Sequence, residues 1–234
     1  TLHRLDAHEA AIIAGELAAI RSLAARVSGD AARAIELAGI ALDQPSYGHP
    51  SLAHMVAAMS LVDAYALLGD LVQAERAAAE LRATAADHHN LLFASIRLMS
   101  LGGLRRDQGR LAEARALYEE AQRLFIRRNA LGRPIAAMLY ISLADIAYEQ
   151  DNLDEAERYA QMAFHFGERW WNNDVLGNSL NFLGAVKQAR GDYAAAAEIF
   201  ERMERLHLEY QVVWVTNQVQ AGRAQRLLHH GDRQ

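Results

Sequence analysis

Cysteine is absent from the chain, which excludes disulfide frameworks and thiolate metal sites and is compatible with a reducing compartment. Proline occurs only three times in 234 residues, so little interrupts long helices. A basic surplus is missing as well: the formal net charge is -5, whereas a nucleic-acid surface needs a cationic stripe to displace counterions from phosphate. No apolar stretch reaches the roughly 18 residues of a membrane span, and no signal peptide opens the chain. These absences predict a cytoplasmic protein that meets neither membrane nor DNA directly. Alternating β-branched runs are also missing. The chain contains no G-x-x-x-x-G-K-[ST] phosphate loop, no G-x-S-x-G elbow and no recognition-helix signature, so no catalysis is expected of it.

What is present is a recurring mark: Gly29-Asp30, Gly69-Asp70, Gly109-Arg110, Asp151-Asn152, Gly191-Asp192 and Gly231-Asp232. Successive marks are 40, 40, 42, 40 and 40 residues apart. Each of the first five is followed at a fixed distance by alanine, at Ala34, Ala74, Ala114, Ala156 and Ala196. A fixed period of this size, with helical sequence on both sides of a turn, is the signature of a helical solenoid. The expected fold is all-α, a right-handed α-α superhelix of helical hairpins with about eleven helices. Its repeats run over about 7–46, 47–88, 89–130, 131–172 and 173–210, with a partial sixth at 211–234. All of 1–234 then forms one superhelical domain, and a start without methionine and an end inside a turn mark it as a piece of a longer protein.

In each unit the second helix carries small or aromatic residues on one face: Ala34/Ala38/Ala41, Ala74/Ala78/Leu81, Ala114/Tyr118/Ala121, Ala156/Ala160/Ala163 and Ala196/Phe200/Met203. These spacings of four and seven share a helical face. The eighth position of each first helix is usually small as well (Ser22, Val62, Gly102, Ala144, Gly184, Ala224). Small against small is expected to let helices approach. Pro50 and Pro134 stand near first-helix starts, where a missing N–H costs nothing, and Asn172-Asn173-Asp174 offers capping side chains for the fifth repeat.

The pattern of small residue, three spacers, aromatic, two spacers and small residue after a glycine turn resembles the tetratricopeptide repeat. Within it, Gly109 to Tyr118 and the run Leu143 to Tyr159 (LADIAYEQDNLDEAERY) resemble the superhelical sensor domain of large LuxR-type bacterial transcription activators. That resemblance implies an effector-sensing and protein-interaction domain of a transcriptional regulator. Its partners would be a regulatory protein, a peptide or a small-molecule effector, and self-association is compatible with it. Nucleotide and DNA would belong to flanking modules, and no cofactor is implied for this segment. The alternative is a generic tetratricopeptide scaffold that captures proteins or peptides without a link to transcription.

In such repeats the first helices line a concave groove. Carrying that over places Met59, Asp63, Met99, Arg106, Ile141, Asp145, Tyr148, Asn178, Asn181, Gln188, Trp214 and Gln218 at the ligand or partner surface. Val56, Ile96, Met138 and Gln225 stand at the same register. Methionines suit an adaptable apolar contact, and the amides of the later repeats suit a polar ligand or an extended backbone. Trp170, Trp171 and Trp214 are aromatic contact candidates, the competing reading being a staple at a helix end. The paired histidines His88-His89 and His229-His230 lack a third ligand at helical spacing, so no metal is expected. Asp145 and Glu149 share a helical face but have no nucleophile to serve.

Overall fold

A computed structural model describes residues 6–45, 51–84, 91–132 and 134–210. Ten α-helices and no strand lie among them: α1 (Ala7–Val27), α2 (Ala31–Asp43), α3 (Leu52–Leu67), α4 (Leu71–Thr84), α5 (Leu91–Asp107), α6 (Leu111–Arg127), α7 (Ile135–Glu149), α8 (Leu153–Trp170), α9 (Asn173–Ala189) and α10 (Tyr193–Tyr210). Ten described helices agree with the all-α expectation. The eleventh would fall in 211–234. That stretch, with the mark Gly231-Asp232, Trp214, Gln218, Gln225 and His229-His230, lies outside the described residues, as do Pro50 and His88-His89.

The marks are turns, and the reason is visible in the backbone. Gly29, Gly69, Gly109 and Gly191 take φ between +72 and +80°, the left-handed conformation that ends a helix at no steric cost to glycine. Asp151 replaces glycine at the fourth mark with φ 58°. The hydrogen bonding of that turn is nonetheless the same. Asp151 N donates to Tyr148 O at 2.9 Å and Asn152 N to Ala147 O at 2.8 Å, as Gly29 N does to Arg26 O at 3.0 Å and Asp30 N to Ala25 O at 2.9 Å. The second residue of the mark then caps the next helix. Asp30, Asp70, Asn152 and Asp192 accept from Arg33 N, Gln73 N, Glu155 N and Ala195 N at 3.0 to 3.3 Å. Asn172 caps α9 in the same way, accepting from Val175 N at 3.1 Å.

The chain falls into two compact units, residues 1–124 and 125–234. In the first unit α1 packs on α2 and α3, α2 on α3, α3 on α4 and α5, and α4 on α5. In the second, α7 packs on α8 and α9, α8 on α9, and α9 on α10. Each helix thus touches elements one or two along the chain, the contact pattern of a repeat stack. The core is the alanine ladder: Ala34, Ala38, Ala41, Ala74, Ala78, Leu81, Ala114, Tyr118, Ala121, Ala156, Ala160, Ala163, Ala196 and Met203 are all buried.

The crossing of first and second helices is more specific than small against small. Where the second helix carries alanine (Ala38, Ala78, Ala160), the first helix carries Ser22, Val62 or Ala144, each buried. Ser22 even donates its hydroxyl to Ala34 O at 2.9 Å. Where the second helix carries an aromatic ring, the first carries glycine. A Cβ on Gly102 would stand 2.7 Å from Cζ of Tyr118, and one on Gly184 2.7 Å from Cζ of Phe200. Volume is exchanged across the crossing, with the total held near the packing density that interiors require.

Candidate binding surface

The ten groove candidates on described helices, Met59 through Gln188, are all half-buried. That is what a helical face produces when its flanks are packed and its crest is open. In the first unit the strip is charged and thioether-rich. Arg26 of α1 reaches Asp63 of α3, Nη1 to Oδ2 at 3.0 Å, and Arg106 of α5 pairs with its neighbour Asp107 at 2.7 Å. The Asp63 side chain is 33% exposed, and loss of water around its carboxyl raises its pKa to about 6, with Asp107 repelling in the same direction and Arg26 and Arg106 opposing. Met59 and Met99 stand one turn before Asp63 and Gly103. Val56 and Ile96 also lie in this register, but they pack against core clusters built around Ala57 and Phe93. At those two positions the strip is interhelical core.

The second unit presents a different strip. Ile141, Asp145 and Tyr148 follow one face of α7, and Asn178, Asn181 and Gln188 one face of α9, which packs beside it. Tyr148 leans its ring on the cluster of Ala147, Ala156 and Val186. Asn178 spends one N–H on Asp174 O at 3.1 Å. The side-chain amides of Asn181 and Gln188 have no hydrogen-bond partner among the described residues, so each keeps donor and acceptor available. No lysine or arginine belongs to this strip. The structure packs α7, with Asp145 and Tyr148, against α9, with its amides, and separately joins Asp63 to Arg26 near the Arg106–Asp107 pair.

Trp171 is 86% exposed at φ 52°, and Trp170 is 47% exposed with the Arg169 guanidinium 6.0 Å from its ring. Neither ring is buried as a staple. The buried aromatics of this region are instead Tyr140 and Tyr159, stacked at 6.2 Å, with Phe166 5.7 Å from Tyr140.

One device escaped the sequence reading. Arg105 of α5 pairs with Glu75 of α4, and Gln108 Nε2 donates to the same carboxylate at 3.0 Å. In the second unit Lys187 Nζ of α9 meets Glu157 of α8 at 2.8 Å, and Arg190 bonds both Glu157 and Asp154. Both clamps join a second helix to the next first helix at separations of 30 and 33 residues. The paired cations hold the Glu157 carboxyl below its ordinary pKa, Lys187 contributing most. The signal was available in the sequence: an acid directly after the ladder alanine, and a cation three positions past the small residue of the following helix.

Comparison with known proteins agrees with this architecture. A family model described as a MalT-like TPR region matches residues 15–234. Among solved structures, BtubC (BKLC) from P. vanneervenii is similar in fold, with TM-score 0.59 and 18% identity over 88% of this chain and 93% of that one. No curated protein matches significantly.

Proposed function

Because the chain belongs to the family of MalT-like tetratricopeptide regions, we propose that it is the effector-sensing and protein-interaction segment of a LuxR-type transcriptional regulator. The first-helix faces would receive a small-molecule effector or a regulatory protein. The observation that carries this reading is the strip of α7 and α9: Ile141 and the Tyr148 ring supply apolar area, while Asp145 and the free amides of Asn181 and Gln188 supply orienting polar groups. Such a mixture is what a binding face needs, apolar contact for affinity and a few polar groups for orientation.

A ligand that binds only the folded array stabilises it by mass action. A thermal-shift screen of small metabolites and peptides should therefore find compounds whose stabilisation disappears in Asn181→Ala and Tyr148→Ala, provided both variants retain wild-type helicity. Equal stabilisation of the variants by a confirmed ligand would move the site elsewhere. The alternative, a scaffold for peptides unrelated to transcription, is favoured by the charged strip of the first unit, where Arg26 and Arg106 could grip a carboxylate. It predicts peptide hits that respond to Arg106→Ala and not to Asn181→Ala.

A further inference from the structure

On α5 the residues Arg97, Leu98, Leu101 and Arg105 lie roughly half a turn around the helix from Ile96, Met99 and Arg106, and therefore face away from the strip discussed above. With Glu113, Ala116, Leu117 and Glu120 of α6 they line a groove of ≈ 390 Å³. Its floor is apolar: Leu101 is buried, and Leu117 packs on the same cluster as Met55, Leu81 and Phe93. Its two arginines differ. Arg105 is engaged by Glu75 and Glu113. Arg97 has a buried Nε with no acceptor and no carboxylate partner among the described residues.

A guanidinium stays charged at any ordinary pH, and a buried donor without an acceptor carries its full desolvation cost. The buried Nε lies beyond a ligand's reach, so what the groove wall offers an incoming acceptor is the terminal Nη donors of a guanidinium that has no carboxylate partner among the described residues. We propose that this groove is a second binding site, distinct from the first-helix face, for a small amphipathic monocarboxylate. The ligand's carboxylate would take the Arg97 donors and its hydrocarbon body would cover Leu98, Leu101 and Leu117. The size falls within the range of small-molecule sites, roughly 300–1,000 Å³. Glu113 is already paired with Arg105 and Arg110, so Glu120 on the α6 side sets the charge of the occupant: it repels a dianion such as a phosphate ester more strongly than a single carboxylate, which satisfies Arg97.

Octanoate is a suitable probe, with octanol as its uncharged match. Titration followed by methyl NMR on the whole chain should show octanoate shifting Leu98, Leu101 and Leu117, with octanol binding at least tenfold more weakly. Arg97→Gln, which keeps a polar, helix-compatible side chain while removing the charge and the outer guanidinium, should weaken octanoate at least tenfold without altering helicity. Asn181→Ala, on the other strip, should leave octanoate binding unchanged. Absence of binding up to about 10 mM octanoate, where only contacts weaker than about 3 kcal/mol would escape detection, would overturn the proposal. So would an Arg97→Gln variant that binds octanoate as the wild type does.

Discussion

The two units are built from the same parts and arrive at different electrostatics on their first helices. Each has a glycine facing an aromatic ring, Gly102 with Tyr118 and Gly184 with Phe200. Each has a clamp spanning 30 residues, Glu75 with Arg105 and Glu157 with Lys187. The positions that build the stack are therefore held alike. The first-helix positions facing out of it are not: Arg26, Asp63, Arg106 and Asp107 make a strip of charges in the first unit, and Asp145, Tyr148, Asn178, Asn181 and Gln188 a mostly neutral one in the second. A solenoid separates the residues that transmit the fold from those free to meet a partner, and this difference shows where freedom lies.

The sharpest way to break the shared part is at the crossing. Gly102→Ala should destabilise the protein by about 1–3 kcal/mol in chemical denaturation, because the added methyl meets a buried ring that has no room to move. In a Tyr118→Ala background the same change should reverse sign and stabilise by several tenths to about 1 kcal/mol, the ordinary preference of a helix for alanine over glycine. Gly39→Ala, where nothing stands within 4 Å of the added carbon, should be favourable in either background. Additive effects of Gly102→Ala and Tyr118→Ala would refute the exchange of volume across the crossing.

The electrostatic difference is tested by titration, where the two units should move in opposite directions. Glu157 has a lowered pKa in the folded state. Its contribution is present above the ordinary value of 4.5 and is lost as pH falls through the lower folded value. Asp63, raised from 3.8 to about 6, behaves the other way: between those values the folded state holds the proton more tightly, so this group favours the fold increasingly as pH falls from about 6 toward 4. Carboxyl NMR should give a midpoint near 6 for Asp63 and one below 4.5 for Glu157. Glu157→Gln at pH 7 should cost about 1–2 kcal/mol by replacing the charged acceptor that Lys187 and Arg190 share with a neutral amide. A midpoint for Asp63 at or below that of Glu157 would erase the contrast.

The smallest expected effect concerns the turn that departs from the others. Asp151 holds a left-handed backbone that glycine adopts without penalty. Asp151→Gly should therefore change stability by no more than several tenths of a kcal/mol in either direction, relief of strain offsetting the entropy that glycine returns to the unfolded chain. Gly109→Ala should lose about 1 kcal/mol from backbone strain alone, since nothing lies within 4 Å of the added carbon.

The periodic features were legible in the sequence because each rests on one residue type with one conformational reason. Glycine at a mark means a left-handed turn, aspartate after it means a cap, and alanine five residues on means a close crossing. The glycine-for-aromatic exchange was half legible: Gly102 and Tyr118 were each placed on their faces, yet the rule joining them needs the pairing of the two helices in space. The clamps needed the same knowledge across repeats. The surface candidates were legible only as a register. Spacing put Val56, Ile96, Asp145 and Asn181 in one class, and packing then divided them, because a residue at an open crest and one wedged against the next helix have the same position in the period. Nothing in the sequence indicated that water loss around Asp63 would outweigh the nearby guanidinium of Arg26, or that Arg97 Nε would have no acceptor among the described residues.

The clamps also govern how such a chain can change its length. Each reaches 30 residues forward, from the helix after one mark to the helix before the next, so its two ends belong to consecutive repeats. An acid follows the ladder alanine only at Glu75 and Glu157, with Ile35, Arg115 and Ala197 in the other repeats, so loss of a single period sets Glu75 against Ala147, whereas loss of two sets it against Lys187. A cut that adds half a period strands one glutamate and one arginine at the seam, each left to water or to the wrong neighbour. Growth by pairs of units is thus the inexpensive route, and the ion pairs set a register for recombination as well as a fastening for the fold.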